Sequence, residues 1–205
     1  MPGRKQKFPT IPGKWNSAFF GNLHYNPHHQ SRMFRHKNIR LPLDRYVGTA
    51  WFFVTFCCEN RKKIFLEPTR AQWFLDDLRS DALSHALAIH AYCVMPDHVH
   101  LLSQGLTPTS DLFRCLTALK KRTGFTYKQE TSHHLWQKKS YDYALRSGDP
   151  PDLVAWYIWM NPVRAGLCLS ATDYPWSGSL TGAGPHSTPP HESWSRPWRN
   201  QPAPI

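Results

Sequence analysis

The chain has 205 residues, 40% of them hydrophobic and 14% aromatic, enough for one domain, with or without tails, around a substantial core. A formal charge of +11 and a pI near 9.6 suit a polyanionic partner. No apolar stretch is long enough to span a membrane and the N-terminus lacks the apolar region of a signal peptide. These features exclude a membrane-spanning protein and point to a soluble, cytoplasmic one.

The charge is unevenly placed. Residues 1–45 hold nine Lys/Arg against Asp44 alone, a balance of +8, so the remaining 160 residues carry only +3. Any basic surface on the folded part is therefore local. Five cysteines (Cys57, Cys58, Cys93, Cys115 and Cys168) are odd in number and show no C-x-x-C spacing. They read as reduced, mostly buried thiols rather than a zinc site.

In chain order, residues 1–44 are rich in Pro, Asn, His, Lys and Arg without periodicity, and they read as a disordered basic arm. Residues 45–180 are expected to fold, and 181–205 to form a Pro-rich disordered tail. Thr49–Cys58, TAWFFVTFCC, is β-branched and aromatic, as a buried strand requires. Pro68–Leu87 carries Trp73, Phe74, Leu78, Ala82 and Leu83 at roughly helical spacing. Ile89–Met95 reads as a second strand, Pro96-Asp97 as a tight turn, and His98–Ser103 as a third strand. Ser110–Gln129 follows as a helix, opened by a Ser110-Asp111 cap, with Leu112, Leu116 and Leu119 on one face. A short strand is expected around His134–Ala144. A last helix starts after Asp149-Pro150-Pro151 and ends or kinks near Asn161-Pro162. This order predicts an α+β fold, helices packed on an antiparallel sheet.

Chemistry concentrates in YCVMPDHVHLL, where two histidines interrupt an apolar strand. Side chains on a strand alternate, so His98 and His100 share a face while Val99 and Leu101 take the other. Two adjacent imidazoles can offer two nitrogen ligands to one divalent cation. Alone, such a pair is more often two hydrogen-bonded strand residues. A companion lies in LVAWYIWMNPVRAGL, where Tyr157 and Asn161 stand at i and i+4. The Asn161 amide oxygen suits Mg²⁺ or Mn²⁺. The bland alternative puts Tyr157 in the core and makes Asn161 a helix-end residue before Pro162.

Taken together, YCVMPDHVHLL, TALKKRTG, LWQKKSYDYALRS, YIWMNPVRAGL and DYPWSGS resemble, in this order, the HUH single-tyrosine transposases, closest to the REP-associated tyrosine transposases. The resemblance covers roughly Leu41–Ser179. It implies a ferredoxin-like sheet and a metal-dependent endonuclease and strand transferase acting on single-stranded or hairpin DNA. His98 and His100 match the metal-binding pair, Asn161 the third ligand, and Tyr157 the nucleophile that forms a 5′-phosphotyrosine. The implied cofactor is Mg²⁺ or Mn²⁺, and a monomer or homodimer in the cytoplasm, associated with the nucleoid, is expected. A free tyrosine, with a pKa of ~10, is a poor nucleophile at neutral pH, and a nearby cation answers that need. Trp156 and Trp159 flank the tyrosine and make its helix unusually bulky.

Other residues receive lesser roles. Asp97 could orient an imidazole, or simply occupy a turn. Tyr141 and Tyr143 share a strand face and are rival nucleophiles, with cross-strand packing the better expectation. Lys120, Lys121, Arg122 and Lys128 are expected to project to solvent and contact DNA phosphates. Trp136, Lys138 and Lys139 could stack on and charge-pair with a single strand, and Arg164 could contact a phosphate near the metal. The rival reading from another class is a catalytically inactive DNA- or RNA-binding module on the same fold.

Overall fold

The computed structural model of the protein describes residues 41–188 and 190. Its centre is a five-stranded antiparallel sheet in the order β4-β1-β3-β2-β5. The strands are β1 (Trp51–Cys58), β2 (Leu87–Met95), β3 (His98–Gly105), β4 (Trp136–Ala144) and the two-residue β5 (Ser177–Gly178). Helices α1 (Pro68–Ser84) and α2 (Leu112–Thr131) connect β1 to β2 and β3 to β4, which gives the ferredoxin-like β-α-β-β-α-β arrangement. Helices α3 (Pro151–Trp159) and α4 (Asn161–Arg164) follow β4.

The alternation of β1 builds two different faces. Phe52, Val54, Phe56 and Cys58 are buried against α1 and α2, with Phe74, Leu78 and Leu119 in the same cluster. Each such side chain contributes roughly 1.5–3 kcal/mol by leaving water. Trp51, Phe53, Thr55 and Cys57 point the other way, toward the layer in which Ala91, Cys93, Met95 and Leu102 pack against Val154, Ala155, Ile158 and Trp159. The sheet is thus covered on both sides, α1 and α2 on one and α3 on the other.

The ends of the elements follow local chemistry. Proline occupies the first turn of both α1 and α3, where its missing N–H costs nothing. Asp111 caps α2 by accepting a hydrogen bond from the Arg114 backbone N–H at 2.9 Å, one residue later than the expected Ser110 start. Pro96-Asp97 forms a two-residue connection between β2 and β3, with Met95 paired to His98. Its tip is pinned from outside the hairpin, since Phe65 N–H donates to the Pro96 carbonyl and Cys58 N–H to the Asp97 carbonyl, both at 2.9 Å.

The tryptophans beside Tyr157 anchor its helix. Both are buried, Trp159 Nε1 donating to the Gly178 carbonyl at 2.9 Å and Trp156 Nε1 to the Ser187 carbonyl at 3.1 Å. Gly178 lets the Tyr92 ring lie close, because a Cβ there would come within 2.6 Å of the Tyr92 hydroxyl and push that side chain aside. Tyr174 closes the same corner by donating to the Val94 carbonyl at 2.9 Å. This accounts for the DYPWSGS segment, which holds α3 in place.

Of the expected basic arm, residues 1–40 lie outside the described residues, while Leu41 packs on the core and Tyr46 is buried in a short 3-10 turn, Leu43–Tyr46. Of the expected Pro-rich tail, residues 189 and 191–205 lie outside them, and Ser187 is bonded to Ser170 and Trp156.

Candidate active site

Strand register brings the site together on the α3 side of the sheet. Tyr141 of β4, Thr55 of β1, His100 of β3 and Cys93 of β2 are successive cross-strand partners in one row. His98 stands two residues from His100 on the same face, paired with Cys57 and Met95. The expected companionship of the two imidazoles therefore holds.

Each histidine is oriented by a different neighbour. His98 Nδ1 lies 2.5 Å from Asp97 Oδ1, so the proton belongs on Nδ1 and the Nε2 lone pair is exposed to the site. His100 Nδ1 lies 2.7 Å from Thr55 Oγ1. The two Nε2 atoms then face each other at 3.0 Å. Two nitrogen ligands at right angles on a cation, with metal–nitrogen bonds of ~2.1 Å, would stand ~3.0 Å apart. The donor set fits a divalent cation.

The electrostatics keep His100 in ligand form. Burial, reinforced by His98, Arg164 and Arg61, lowers the His100 pKa well below the ordinary histidine value, which keeps its ring neutral. Burial alone would raise the Asp97 carboxyl, but the His98 hydrogen bond and the nearby Arg61 outweigh it and hold Asp97 below the usual carboxylate range. An ionised Asp97 is the partner that His98 Nδ1–H requires. Among the described residues no three His, Cys, Asp or Glu side chains converge as a metal-binding group.

Asn161 and Tyr157 sit at the break after α3. The helix stops at Trp159, Met160 turns the chain, and α4 starts at Asn161 rather than continuing the same helix. Asn161 Nδ2 donates to the Tyr157 and Ile158 carbonyls at 3.1 and 3.0 Å, as the helix-end alternative anticipates. Its Oδ1 is the atom left to act as an acceptor or ligand. Tyr157 is half-buried, edge-on to Phe53 at 6.2 Å, and Phe53 stacks on His100 at 5.7 Å. Phe53 thus touches both the tyrosine ring and His100, a placement that the sequence gives no signal for.

Arg164 reaches back from α4. Its guanidinium lies 4.2 Å over the Tyr157 ring and Nη2 donates to the Tyr157 carbonyl at 2.8 Å. The rival tyrosines are less apt. Burial, with Asp142 and Tyr157 adding to it, pushes the Tyr141 hydroxyl up to about 12. Burial and a 2.7 Å hydrogen bond to Asp149 raise Tyr143 to about 12 as well. Both are made poorer sources of a phenolate.

The expected DNA contacts divide. Two need correction. Arg122 is exposed as expected but is not free for DNA: it grips Asp81 with both ends of its fork, at 2.7 and 2.9 Å, and Asp77 at 3.0 Å, tying α2 to α1. The apolar stripe that places lysines outward places Arg122 opposite two acids of α1. Trp136 is no stacking platform either. It is only 8% exposed, packed among Phe56, Phe65 and Phe74, with Nε1 donating to Thr123 Oγ1 at 2.8 Å. Lys121, Lys128, Lys138 and Lys139 are exposed, whereas Lys120 Nζ donates to the Gln137 carbonyl at 3.0 Å. Lys120, Lys121 and Lys128 line a shallow depression of about 280 Å³ on the α2 side, with the sheet between them and the histidines.

Residues 47–161, more than half of the chain, match the family described as "Transposase IS200 like". The chain belongs to this transposase family. The REP-associated tyrosine transposase of Escherichia coli (strain K12) is 26% identical over 130 residues, which span 63% of this chain and 76% of that protein. A solved structure of a REP-associated tyrosine transposase bound to a REP hairpin has the same fold, with a TM-score of 0.58 at 22% identity, covering 69% of this chain and 82% of that one. The resemblance read from the histidine, tyrosine and N-P-V-R segments is borne out, and the transposase is an enzyme. No helix of the described residues is long and apolar enough to cross a membrane.

Proposed function

We propose that the transposase cleaves and rejoins single-stranded or hairpin DNA through a 5′-phosphotyrosine on Tyr157, with a divalent cation, Mg²⁺ or Mn²⁺, at His98 and His100. The observation that carries this reading is the convergence of two Nε2 atoms at 3.0 Å, each ring fixed by its own partner, Asp97 or Thr55. Asn161 would supply the third ligand through Oδ1, its amide nitrogen already held by the end of α3. A cation bound there polarises a non-bridging phosphate oxygen and offsets charge that builds up as the phosphorus gains its fifth oxygen.

The chain's own residues do the rest. Tyr157 Oη attacks the phosphorus, the 3′ oxygen leaves, and the phosphotyrosine conserves the bond energy for a later strand transfer without a nucleotide cofactor. Arg164, fixed against the Tyr157 ring and carbonyl, places a positive charge beside the attacking group. Phe53 touches both that ring and His100 and helps exclude water. The similar protein solved with a REP hairpin makes a DNA hairpin the first substrate to try. Exposed Lys121, Lys128, Lys138 and Lys139, with the basic segment of residues 1–40, would contact backbone phosphates, and these positions grip DNA without reading its sequence.

The test is incubation of the full chain with hairpin oligonucleotides carrying single-stranded flanks, with Mn²⁺ or with EDTA. A covalent protein–DNA band in Mn²⁺ and none in EDTA is expected. A protein that binds these oligonucleotides but never forms the band would be a binding module.

A further inference from the structure

We infer that Arg61 is a second guanidinium of the active site, contacting a non-bridging oxygen of the phosphodiester that Tyr157 attacks; the inference rests on the reading proposed above. Three observations lead there. The chain leaves β1 through Glu59–Arg61, where Asn60 and Arg61 both adopt left-handed backbone angles, φ 52 and 55. Asn tolerates this region, but Arg61 is strained there, and such strain persists only where the surroundings impose it. Its effect is to direct the Arg61 side chain back over the end of β1.

There the guanidinium meets the histidine pair's own support. Arg61 Nη1 donates to Cys57 Sγ at 3.0 Å, and Cys57 is the cross-strand partner of His98. Arg61 Nε lies 3.4 Å from Asp97 Oδ2, while the other oxygen of Asp97 holds His98. A guanidinium has five N–H donors in a planar fork. These contacts use two of them and leave three, on a side chain that is 50% exposed. A half-exposed ion pair is by itself worth little, so the pairing with Asp97 alone does not explain a strained loop. A fork held at the rim of a cation site does, because its geometry matches two oxygens of a phosphate.

Arg61 and Arg164 come from different parts of the chain, the loop after β1 and helix α4, the first held against Asp97 and the second against Tyr157. One guanidinium thus stands at the carboxylate that holds His98 and the other at the tyrosine. A phosphodiester over the two Nε2 atoms would lie between them. Lys62 and Lys63, the next residues, are exposed, and among the described residues their side chains make no hydrogen bond or ion pair, so the position of Arg61 is specific to its fork.

The experiment uses the full chain with a hairpin oligonucleotide whose cleaved linkage has been mapped with the wild type. Arg61→Ala should slow covalent adduct formation by about 10²-fold or more, the scale for losing one donor to a developing oxyanion. Arg61→Lys should recover only part of it. With a neutral methylphosphonate at the cleaved linkage, the difference between wild type and Arg61→Ala should shrink to less than tenfold, since the charge that Arg61 neutralises is gone. Binding gives a reading independent of cleavage. In a Tyr157→Phe background, Arg61→Ala should lower the slope of log affinity against log salt by ~0.7, one phosphate of a single strand.

Arg61→Gly controls for folding, because glycine accepts φ 55 without strain. Its melting temperature should equal or exceed the wild type's while adduct formation falls as in Arg61→Ala. An equal loss on both linkages with an unchanged salt slope would show that Arg61 acts only by positioning Asp97 and would overturn the inference, as would a variant with no loss. If the wild type forms no adduct with any hairpin, the proposed function fails and takes this inference with it. If the wild type forms the adduct and Arg61→Ala matches it, only the inference fails.

Discussion

Under α1 and α2, the inward side chains of β1 (Phe52, Val54, Phe56 and Cys58) are all buried in apolar packing, whereas under α3 their neighbours Phe53, Thr55 and Cys57 are half-buried beside His98 and His100. The polar groups of the two layers differ in the same way. On the α1/α2 side Arg122 pairs with Asp77 and Asp81 and Trp136 Nε1 with Thr123, while the Ser103 hydroxyl is buried without a partner among the described residues. On the α3 side Asp97 and Thr55 each hold the Nδ1 of one imidazole, and the two Nε2 atoms face each other at 3.0 Å. A single period-two strand can thus build a core with one set of residues and a reaction site with the next.

The sharpest way to break this comparison is to remove a group from the α3 side. His98→Ala or His100→Ala should reduce adduct formation at least ~10³-fold, as should EDTA, through loss of the cation and its charge stabilisation. Binding of a labelled oligonucleotide should change little, because phosphate contacts elsewhere supply most of the affinity. Cleavage by either variant at the wild-type rate, or in EDTA, would remove the metal from the account.

Removing groups from the α1/α2 side should instead cost stability. Trp136→Ala opens a cavity among Phe56, Phe65 and Phe74 and should cost about 3–5 kcal/mol in urea denaturation. Arg122→Ala leaves the buried Asp81 carboxylate unpaired, at roughly 3 kcal/mol, the low end for such a pair because Arg122 is half exposed. If either variant keeps its denaturation midpoint and loses DNA affinity instead, the residue belongs to the DNA surface after all. The smallest effect is expected outside both layers. Deleting residues 1–40, which hold eight Lys/Arg and no acid, should flatten the salt dependence of binding and leave adduct formation in place. A truncated protein with an unchanged salt slope would show that this segment does not touch DNA.

The strands and helices were legible because hydrophobic periodicity and turn residues report directly on burial, whereas the ferredoxin-like order was implied only by the family resemblance. Thr49–Cys58 and His98–Ser103 fall within two residues of the observed strands β1 and β3. The histidine pair was legible for the same reason, since period two fixes which residues share a face. Arg122 and Trp136 were misread because charge and aromaticity say nothing about what lies opposite: two acids of α1 in one case, three phenylalanines in the other. Phe53, Thr55 and Arg61 were missed because their contacts depend on cross-strand register and on a left-handed loop, neither of which leaves a local pattern. The break after Trp159 was anticipated at Asn161-Pro162, and it turns Asn161 back onto α3 instead of extending it.

The nucleophile is the central claim, and one measurement addresses it most directly: peptide mapping by mass spectrometry of the covalent adduct trapped with a hairpin oligonucleotide and Mn²⁺. Tyr157→Phe removes one oxygen and should cost at most ~1 kcal/mol of stability, yet it should abolish the adduct. Tyr141→Phe and Tyr143→Phe should keep it, since burial raises both of those hydroxyls to about 12 and Tyr143 is bonded to Asp149. The account predicts a single 5′-phosphorylated peptide, the one containing Tyr157. A phosphate on the peptide containing Tyr141 or Tyr143, with activity persisting in Tyr157→Phe, would contradict it.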